Sequence, residues 1–151
     1  MFRNILVAWD GSEHAKRALE EAVDIARTQQ ARLTLLAVAA PLHIWPGQFV
    51  PPISQADLLD AASEVAAEGE KLVPDGVAVS SHAASGQPGV ELLKRATAAN
   101  HDLIVMGSRG RGAIRSAVLG SVSHFVLNHA RVPVLVVHDA SEEPDITPDR
   151  P

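Results

Sequence analysis

The sequence predicts an α/β fold, namely a doubly wound, Rossmann-like parallel sheet of five strands with helices on both faces. Short uninterrupted apolar runs, such as residues 5–9 and 103–106, are typical of strands buried on both faces, as in parallel sheets. Between these runs, apolar residues recur every three or four positions, which places them on one face of a helix. Strands that alternate with helices in this way indicate a doubly wound sheet.

The alternation assigns each element in turn. The five predicted strands comprise residues 5–9, 33–38, 77–83, 103–106 and 134–137. The four predicted helices carry their apolar positions within residues 15–26, 58–73, 92–99 and around 125–126. A turn at residues 10–12 offers a cap for the first helix, and Pro88 suits the first position of the third. The third strand has the weakest apolar pattern, so we expect it at a sheet edge.

The fifth strand is also expected at an edge. Pro133 precedes it, and proline cannot donate a hydrogen bond to a neighbouring strand. Residues 134–137 are apolar on both faces, which promotes aggregation when such an edge is left open. We therefore predict a homodimer with two-fold antiparallel pairing through the strand from Val132 to Val137. Cover by the acidic tail or by a loop is the alternative.

Residues 103–138 contain no carboxylate, although the formal net charge of the chain is -5. The arginines of this segment are Arg109, Arg111, Arg115 and Arg131. Positive charge combined with glycine and hydroxyl groups favours an anion-binding site. Glycines in particular favour an anion that is held by backbone amides, as phosphates are. We expect at least one of the first three arginines to reach the anion. Solvated loop charges are the alternative.

The glycines of this segment locate the predicted phosphate site. Gly107 and Gly110 have an alternative as ordinary turn residues after a strand. Gly120 interrupts a helical pattern, where glycine costs about 1 kcal/mol relative to alanine. Close approach of the backbone to a ligand at the start of a helix would account for a glycine at this position. Asp10 follows the first strand as Gly107 follows the fourth, so both lie at the carboxyl ends of strands, where such sheets bind ligands. Asp10 could instead cap the first helix, but Ser12 can serve as that cap.

Composition excludes several functional classes. The segment after His138 holds five acids and one arginine, which leaves a body with a net charge of -1. A near-neutral body argues against binding to nucleic acids or membrane surfaces. We predict a nucleotide-binding domain of residues 1–138 and a disordered, acidic, proline-containing tail of residues 139–151. The chain has no cysteine and no pattern of a signal peptide, so we expect a cytoplasmic protein.

No catalytic residue is predicted. The glycine-rich segment contains no carboxylate that could activate water and no Walker lysine, so any ATP hydrolysis should be slow. Asp10 is the one nearby acid and is the candidate ligand for Mg²⁺. His124 and His129 are five residues apart, which does not align two metal ligands on a helix.

These residues together resemble the universal stress protein family, in its ATP-binding subgroup, over residues 3–138. The family's nucleotide signature, Gly-x2-Gly-x9-Gly-(Ser/Thr), is met at Gly107, Gly110, Gly120 and Ser121. The resemblance also rests on Val7-Ala8-Trp9-Asp10-Gly11-Ser12, on Gly86-Gln87-Pro88, on residues 102–112, on Gly120-Ser121-Val122-Ser123 and on residues 132–137.

The resemblance implies the strand order 3-2-1-4-5, dimers through the last strand, and a bound ATP or other adenine nucleotide. It implies that the adenine lies near Ala8 and the backbone of Val38, and that Asp10 lies near the ribose or a Mg²⁺ ion. Met106 and Arg109 complete the implied site. The phosphates are expected on Gly107, Gly110, Gly120, Ser121, Val122 and Ser123. For Ser123, a hydroxyl on the helix surface is the alternative.

Two features of the sequence leave the shape of the site open. Trp9 stands where the family commonly has a smaller residue, and its ring either reshapes the sugar pocket or fills the core. The loop of residues 39–55 holds four prolines together with Trp45 and Phe49. Long loops of this kind often act as lids. Its aromatic rings either cover the nucleotide or fix the loop to the body.

We therefore predict an ATP-binding, dimeric stress-response or regulatory module with little or no hydrolysis. One alternative is a slow ATPase or phosphotransferase that autophosphorylates on Ser121 or Ser123. Another is a dimerisation module that binds no nucleotide or prefers a cyclic nucleotide.

Overall fold

A computed structural model of the chain describes residues 1–41, 44–110 and 119–139. Strands and helices alternate throughout these ranges: β1 (Asn4–Ala8), α1 (Glu13–Gln29), β2 (Arg32–Ala39), α2 (Gln55–Lys71), β3 (Val79–Ser85), α3 (Pro88–Ala98), β4 (Leu103–Gly107), α4 (Ser121–His129) and β5 (Val134–Val137). The strands form one sheet in the order β3-β2-β1-β4-β5, and every neighbouring pair is parallel. The predicted fold class and strand order are confirmed.

Each face of the sheet has its own apolar core. Ile5 and Val7 of β1 pack with α1 on one face, whereas Leu6 packs with α3 and α4 on the other. All three side chains are fully buried because helices cover both faces. This double cover is the reason that the strands appear in the sequence as uninterrupted apolar runs rather than as alternating ones.

Two of the helices, α1 and α3, begin at the residues that the sequence marks. Ser12 is the N-cap of α1, and its Oγ accepts a hydrogen bond from the Ala15 amide at 3.2 Å. Pro88 occupies the first turn of α3, as predicted. Gly120 is the N-cap of α4, so it lies at the start of this helix and not inside it. Its backbone is extended, with φ -69° and ψ 160°, a conformation open to any residue.

The strand boundaries differ from the prediction by one residue at the ends of β1, β2 and β4 and by two residues in β3. β3 begins at Val79 and ends at Ser85, two residues later at each end than predicted. Its position is set by pairing with β2, in which Leu33 lies opposite Val79. β1 ends at Ala8, although the Trp9 amide still donates to the Leu36 carbonyl at 3.0 Å. Both β3 and β5 lie at sheet edges, as predicted.

The side chain of Trp9 fills the core, as one of the two alternatives for this residue predicts. Trp9 is 4% exposed, and its indole Nε1 donates to the Val65 carbonyl of α2 at 2.7 Å. Space for the ring comes from Gly69, one turn further along α2, where a Cβ atom would lie 2.6 Å from the indole Cε2. The ring therefore fixes α2 against the sheet, and Trp9 also forms part of the wall of the main cavity.

The aromatic residues of the loop before α2 do not pack on the body. Trp45 is 76% exposed and Phe49 is 88% exposed, so the alternative that they fix the loop to the body is wrong. Neither lines the main cavity within the described residues. Asp139, the first residue of the predicted tail, forms an ion pair with Arg17 of α1 at 3.3 Å. The rest of that tail, residues 140–151, lies outside the described residues.

Among the described residues, none of the helices has both the length and the apolar character that crossing a bilayer requires.

Candidate functional site

A cavity of about 410 Å³ opens at the carboxyl ends of β1 and β4. The neighbours of β1 in the sheet are β2 on one side and β4 on the other, so the strand order reverses here. Parallel sheets bind their ligands at such switch points. Every predicted site residue lines this cavity: Ala8, Asp10, Val38, Met106, Gly107, Arg109, Gly110, Gly120, Ser121, Val122 and Ser123. The structure thus brings together all eleven residues, and their role in binding stays a prediction.

The cavity has an apolar half and a polar half. The apolar half is formed by strand ends and by the first turns of α3, with Leu36 and Val38 from β2, Ala8 from β1, and Leu92 from α3. The polar half consists of the loop after β4 and the start of α4. A flat apolar group joined to a charged group would match this division.

The start of α4 supplies amide donors to the polar half. Ser121, Val122 and Ser123 are its first three residues, and amides at these positions have no acceptor within their own helix. The cap residue Gly120 has no side chain that could occupy them. Together with the positive end of the helix dipole, such amides form a site for an anion.

The side chain of Ser123 points away from solvent and fastens α4 to the loop after β4. Ser123 is 2% exposed, so the alternative of a surface hydroxyl is wrong. Its Oγ donates to the carbonyls of Gly107 at 2.9 Å and Ser108 at 3.2 Å. The Gly120 amide donates to the Ser108 carbonyl at 2.6 Å as well. These bonds engage the carbonyls of the loop and hold it against the start of α4.

Gly107 is required by contact with the protein's own backbone. A Cβ atom at this position would lie 2.7 Å from the Cβ and 2.8 Å from the carbonyl carbon of His14, in the first turn of α1. The neighbouring Ser108 hydroxyl is fully buried and lies 3.3 Å from His14 Nδ1. The end of β4 can approach α1 this closely because Gly107 has no side chain. The simple turn alternative for Gly107 is therefore wrong, since the residue closes β4 as its last member.

Gly110 brings the loop after β4 next to the carboxylate of Asp10. A Cβ atom on Gly110 would lie 2.7 Å from Asp10 Oδ2. The other oxygen, Oδ1, accepts a hydrogen bond from the Ser12 amide at 2.9 Å. Since Ser12 is the helix cap, the alternative that Asp10 caps α1 is wrong. The carboxylate is half-buried at the boundary between the two halves of the cavity.

The remaining predicted groups have mixed outcomes. Arg109 lines the cavity, whereas Arg111 and Arg115 lie outside the described residues. Within the described part of the chain, no group of three or more His, Cys, Asp or Glu side chains is arranged to hold a metal ion. Sequence reasoning missed Leu36 and Leu92 as lining residues, because an apolar side chain in a strand or helix carries no local signal of a ligand.

Fold and cavity together define a Rossmann-like α/β protein with a pocket at its switch point that is apolar on one side and glycine-lined on the other. A model of the universal stress protein family matches residues 1–138, and the chain belongs to this family. The universal stress protein YxiE of Bacillus subtilis (strain 168) is 35% identical over 147 residues, which cover 91% of this chain and 99% of that protein. The family resemblance seen in the sequence is confirmed.

Two solved structures extend the comparison. The universal stress protein UspA from Lactobacillus plantarum is 27% identical, has a TM-score of 0.70, and covers 90% of this chain and 97% of its own. Another universal stress protein, solved in complex with cAMP, is 25% identical and has a TM-score of 0.69. The match covers 91% of this chain and 97% of that one.

Proposed function

We propose that this protein binds an adenine nucleotide, ATP in the first instance, and acts as a regulatory module with little or no hydrolysis. The observation that carries the proposal is the start of α4. Three helix amides, preceded by a glycine cap, face a cavity whose opposite half is apolar. The volume of about 410 Å³ falls within the range of small-molecule sites. The relative solved with cAMP supports the adenine nucleotide class.

The two halves of the cavity suggest how the nucleotide is oriented. The adenine ring would lie against Ala8 and Val38 in the apolar half. The phosphates would accept hydrogen bonds from the amides of Ser121, Val122 and Ser123, where the helix dipole favours negative charge. Each amide bond to a charged oxygen would contribute about 1.5–3 kcal/mol. Asp10, between the halves, would face the ribose.

Asp10 also fits a role as a ligand of Mg²⁺ that enters with the nucleotide. Mg²⁺ is usually bound through one or two carboxylates together with substrate phosphates, and keeps several water molecules. A single half-buried carboxylate beside the polar half matches that requirement. When bound, the ion would neutralise phosphate charge. The chain's own contribution would be to hold the Asp10 carboxylate in place through the Ser12 amide.

The direct test is to denature the purified protein and analyse the supernatant for adenine nucleotide, followed by calorimetric titration of the nucleotide-free protein with ATP. We expect Gly120→Val to abolish binding without unfolding the protein. The backbone at Gly120 accepts a side chain, but a Cβ atom would lie 3.3 Å from the Ser108 carbonyl oxygen, so the loop would have to shift by a few tenths of an ångström, and the valine side chain would stand at the amides of α4.

A matched control places the same side chain elsewhere. Ala61→Val adds valine on the exposed face of α2, away from the cavity, and should leave the affinity for ATP unchanged. Unchanged affinity in Gly120→Val, with wild-type stability, would contradict the site assignment.

A cyclic nucleotide is the second candidate ligand, because one structural relative was solved with cAMP. Parallel titrations with ATP, ADP, AMP and cAMP distinguish the two candidates. If the amides of α4 hold the phosphates beyond the first, ATP should bind more tightly than AMP and cAMP. Steady-state ATP turnover measured on the same samples tests the slow-ATPase alternative, and turnover within seconds would contradict a module with little hydrolysis.

We also propose that two copies pair through β5. The four side chains of Val134–Val137 are each half-buried at the open edge of the sheet. Apolar edge strands of this kind are commonly covered in the native assembly. Sedimentation analysis over a range of concentrations should show a dimer, and a monomer mass at all concentrations would contradict the proposal.

A further inference from the structure

A second cavity, of about 260 Å³, lies between β3 and α3 near the open edge of the sheet. We call it the edge cleft. Its lining residues are Leu36, His82, Ala83, Ala84, Glu91, Lys94, Arg95 and Ala98. Only Leu36 also lines the main cavity, so the two are separate sites on the same face of the sheet.

The helical wall of the edge cleft is charged. Glu91, Lys94, Arg95 and Ala98 recur at the spacing of a single face of α3, and this face lines the cleft beside β3. The apolar face of α3, with Leu92 and Ala96, packs on the sheet next to it. Below the charged wall the floor is formed partly by small alanines, which leaves the space open.

The charges of this helical wall do not cancel one another. Lys94 Nζ and Glu91 Oε1 form an ion pair at 3.0 Å, so they largely neutralise each other. Arg95 makes no ion pair among the described residues, and its Nε is buried without a hydrogen-bond partner. A buried donor that is left unsatisfied destabilises the folded protein, and more so when it is charged. The helical wall of the cleft therefore carries an excess positive charge, that of the Arg95 guanidinium.

A histidine lies on the floor opposite this guanidinium. His82, in the middle of β3, is half-buried and lines the cleft. Burial lowers the pKa of His82, and the nearby Arg95 lowers it further, whereas Glu70 of α2 opposes both effects. The other charged groups around it are Glu91 and Lys94 of α3, together with the buried His101, whose Nδ1 lies 3.3 Å from the Arg95 carbonyl.

We propose that the edge cleft binds a small phosphate-class oxyanion between the guanidinium of Arg95 and the imidazole of His82. A guanidinium presents its donors in a planar fork that matches an oxyanion, and charge-assisted bonds of this kind are the strongest in proteins. The cleft is smaller than sites for drug-sized ligands, which start at roughly 300 Å³, so it suits a single anionic group. A bound dianion would favour the protonated form of His82.

The test is an NMR titration of the full chain with inorganic phosphate, read at the His82 ring and at the Arg95 Nε–H. Both signals should shift together and saturate with one dissociation constant. Acetate, a monoanion, should bind more weakly. Absence of a saturable shift at either group in the wild-type protein would overturn the proposal.

Matched variants locate the site. Arg95→Gln should weaken phosphate binding at His82 by about tenfold or more, the loss expected for one charge-assisted bond. Arg27→Gln, a change of the same kind on the exposed last turn of α1, should leave it unaltered. If Arg95→Gln does not fold, His82→Asn provides the same test through the Arg95 Nε–H signal. An unchanged dissociation constant in the folded variant would refute the assignment.

Discussion

The close approach of β4 to α1 gives a quantitative test of why Gly107 is a glycine. In Gly107→Ala, the new Cβ atom would lie 2.7 Å from the Cβ of His14, about 0.7 Å closer than the 3.4 Å at which ordinary contact begins. The obstacle is the first turn of a helix and not a mobile side chain, so α1 must shift. Overpacking of this kind costs about 1–3 kcal/mol. With an unfolding slope of roughly 2 kcal/mol per molar urea, the midpoint should fall by about 0.5–1.5 M.

The matched control is Gly110→Ala, which adds the same methyl group three residues later. Here the new Cβ atom meets the Asp10 Oδ2 atom at 2.7 Å, which is the end of a side chain and not backbone, so the carboxylate and not a helix must move. Stability should change by less than about 0.5 kcal/mol, as for ordinary surface substitutions, while nucleotide affinity should fall because the carboxylate is displaced. Urea denaturation followed by circular dichroism and calorimetric titration with ATP measure the two effects. If both variants unfold at the wild-type midpoint, the packing argument for Gly107 is refuted.

Three further measurements address other parts of the fold. Gly69→Ala should destabilise the protein by about 1–3 kcal/mol, because the new methyl group would contact the indole of Trp9. In a Trp9→Leu background, the same change should instead stabilise α2 by up to about 1 kcal/mol. Equal effects in the two backgrounds would contradict the contact between Gly69 and the indole. Burial lowers the pKa of His101 from its ordinary value of 6.5. As the pH falls below 6.5, the folded state therefore binds fewer protons than the unfolded chain. The stability of the folded protein should therefore decrease as the pH falls through that value. The urea midpoint of His101→Asn should depend less on pH than the midpoint of the wild-type protein. Ser12→Ala should cost about 1 kcal/mol through loss of the helix cap, whereas Ser12→Asp should retain most of it in thermal unfolding.

The parts of the fold that burial determines could be predicted from the sequence. All five residues of β4 are buried, and a short apolar run bounded by polar residues is typical of a strand covered on both faces. The limits of β3 could not be predicted in the same way, because its central residues are serines, a histidine and alanines. Its register depends on hydrogen bonds to β2, and these involve the backbone and leave no pattern in the side chains.

The candidate site was predictable where it depends on local spacing, and not where it depends on contacts distant in sequence. The glycine signature located the loop after β4 and the start of α4. The contact between Gly107 and His14, by contrast, joins residues from opposite parts of the chain. The edge cleft gave no signal at all, since His82 and Arg95 belong to different elements that meet only after folding.

The contacts of the three signature glycines have an evolutionary consequence. Gly107 faces the first turn of α1 at His14, whereas Gly110 faces the end of the Asp10 side chain and Gly120 lies 3.3 Å from the Ser108 carbonyl oxygen, so protein atoms constrain Gly107 most tightly. A descendant that stopped using its ligand would still be under selection to keep at least the first of these glycines for stability. Divergence should therefore begin at Ser121, an exposed residue next to the helix cap that has no such constraint. Comparison of this residue among homologues should distinguish lineages that bind the ligand from lineages that no longer bind it.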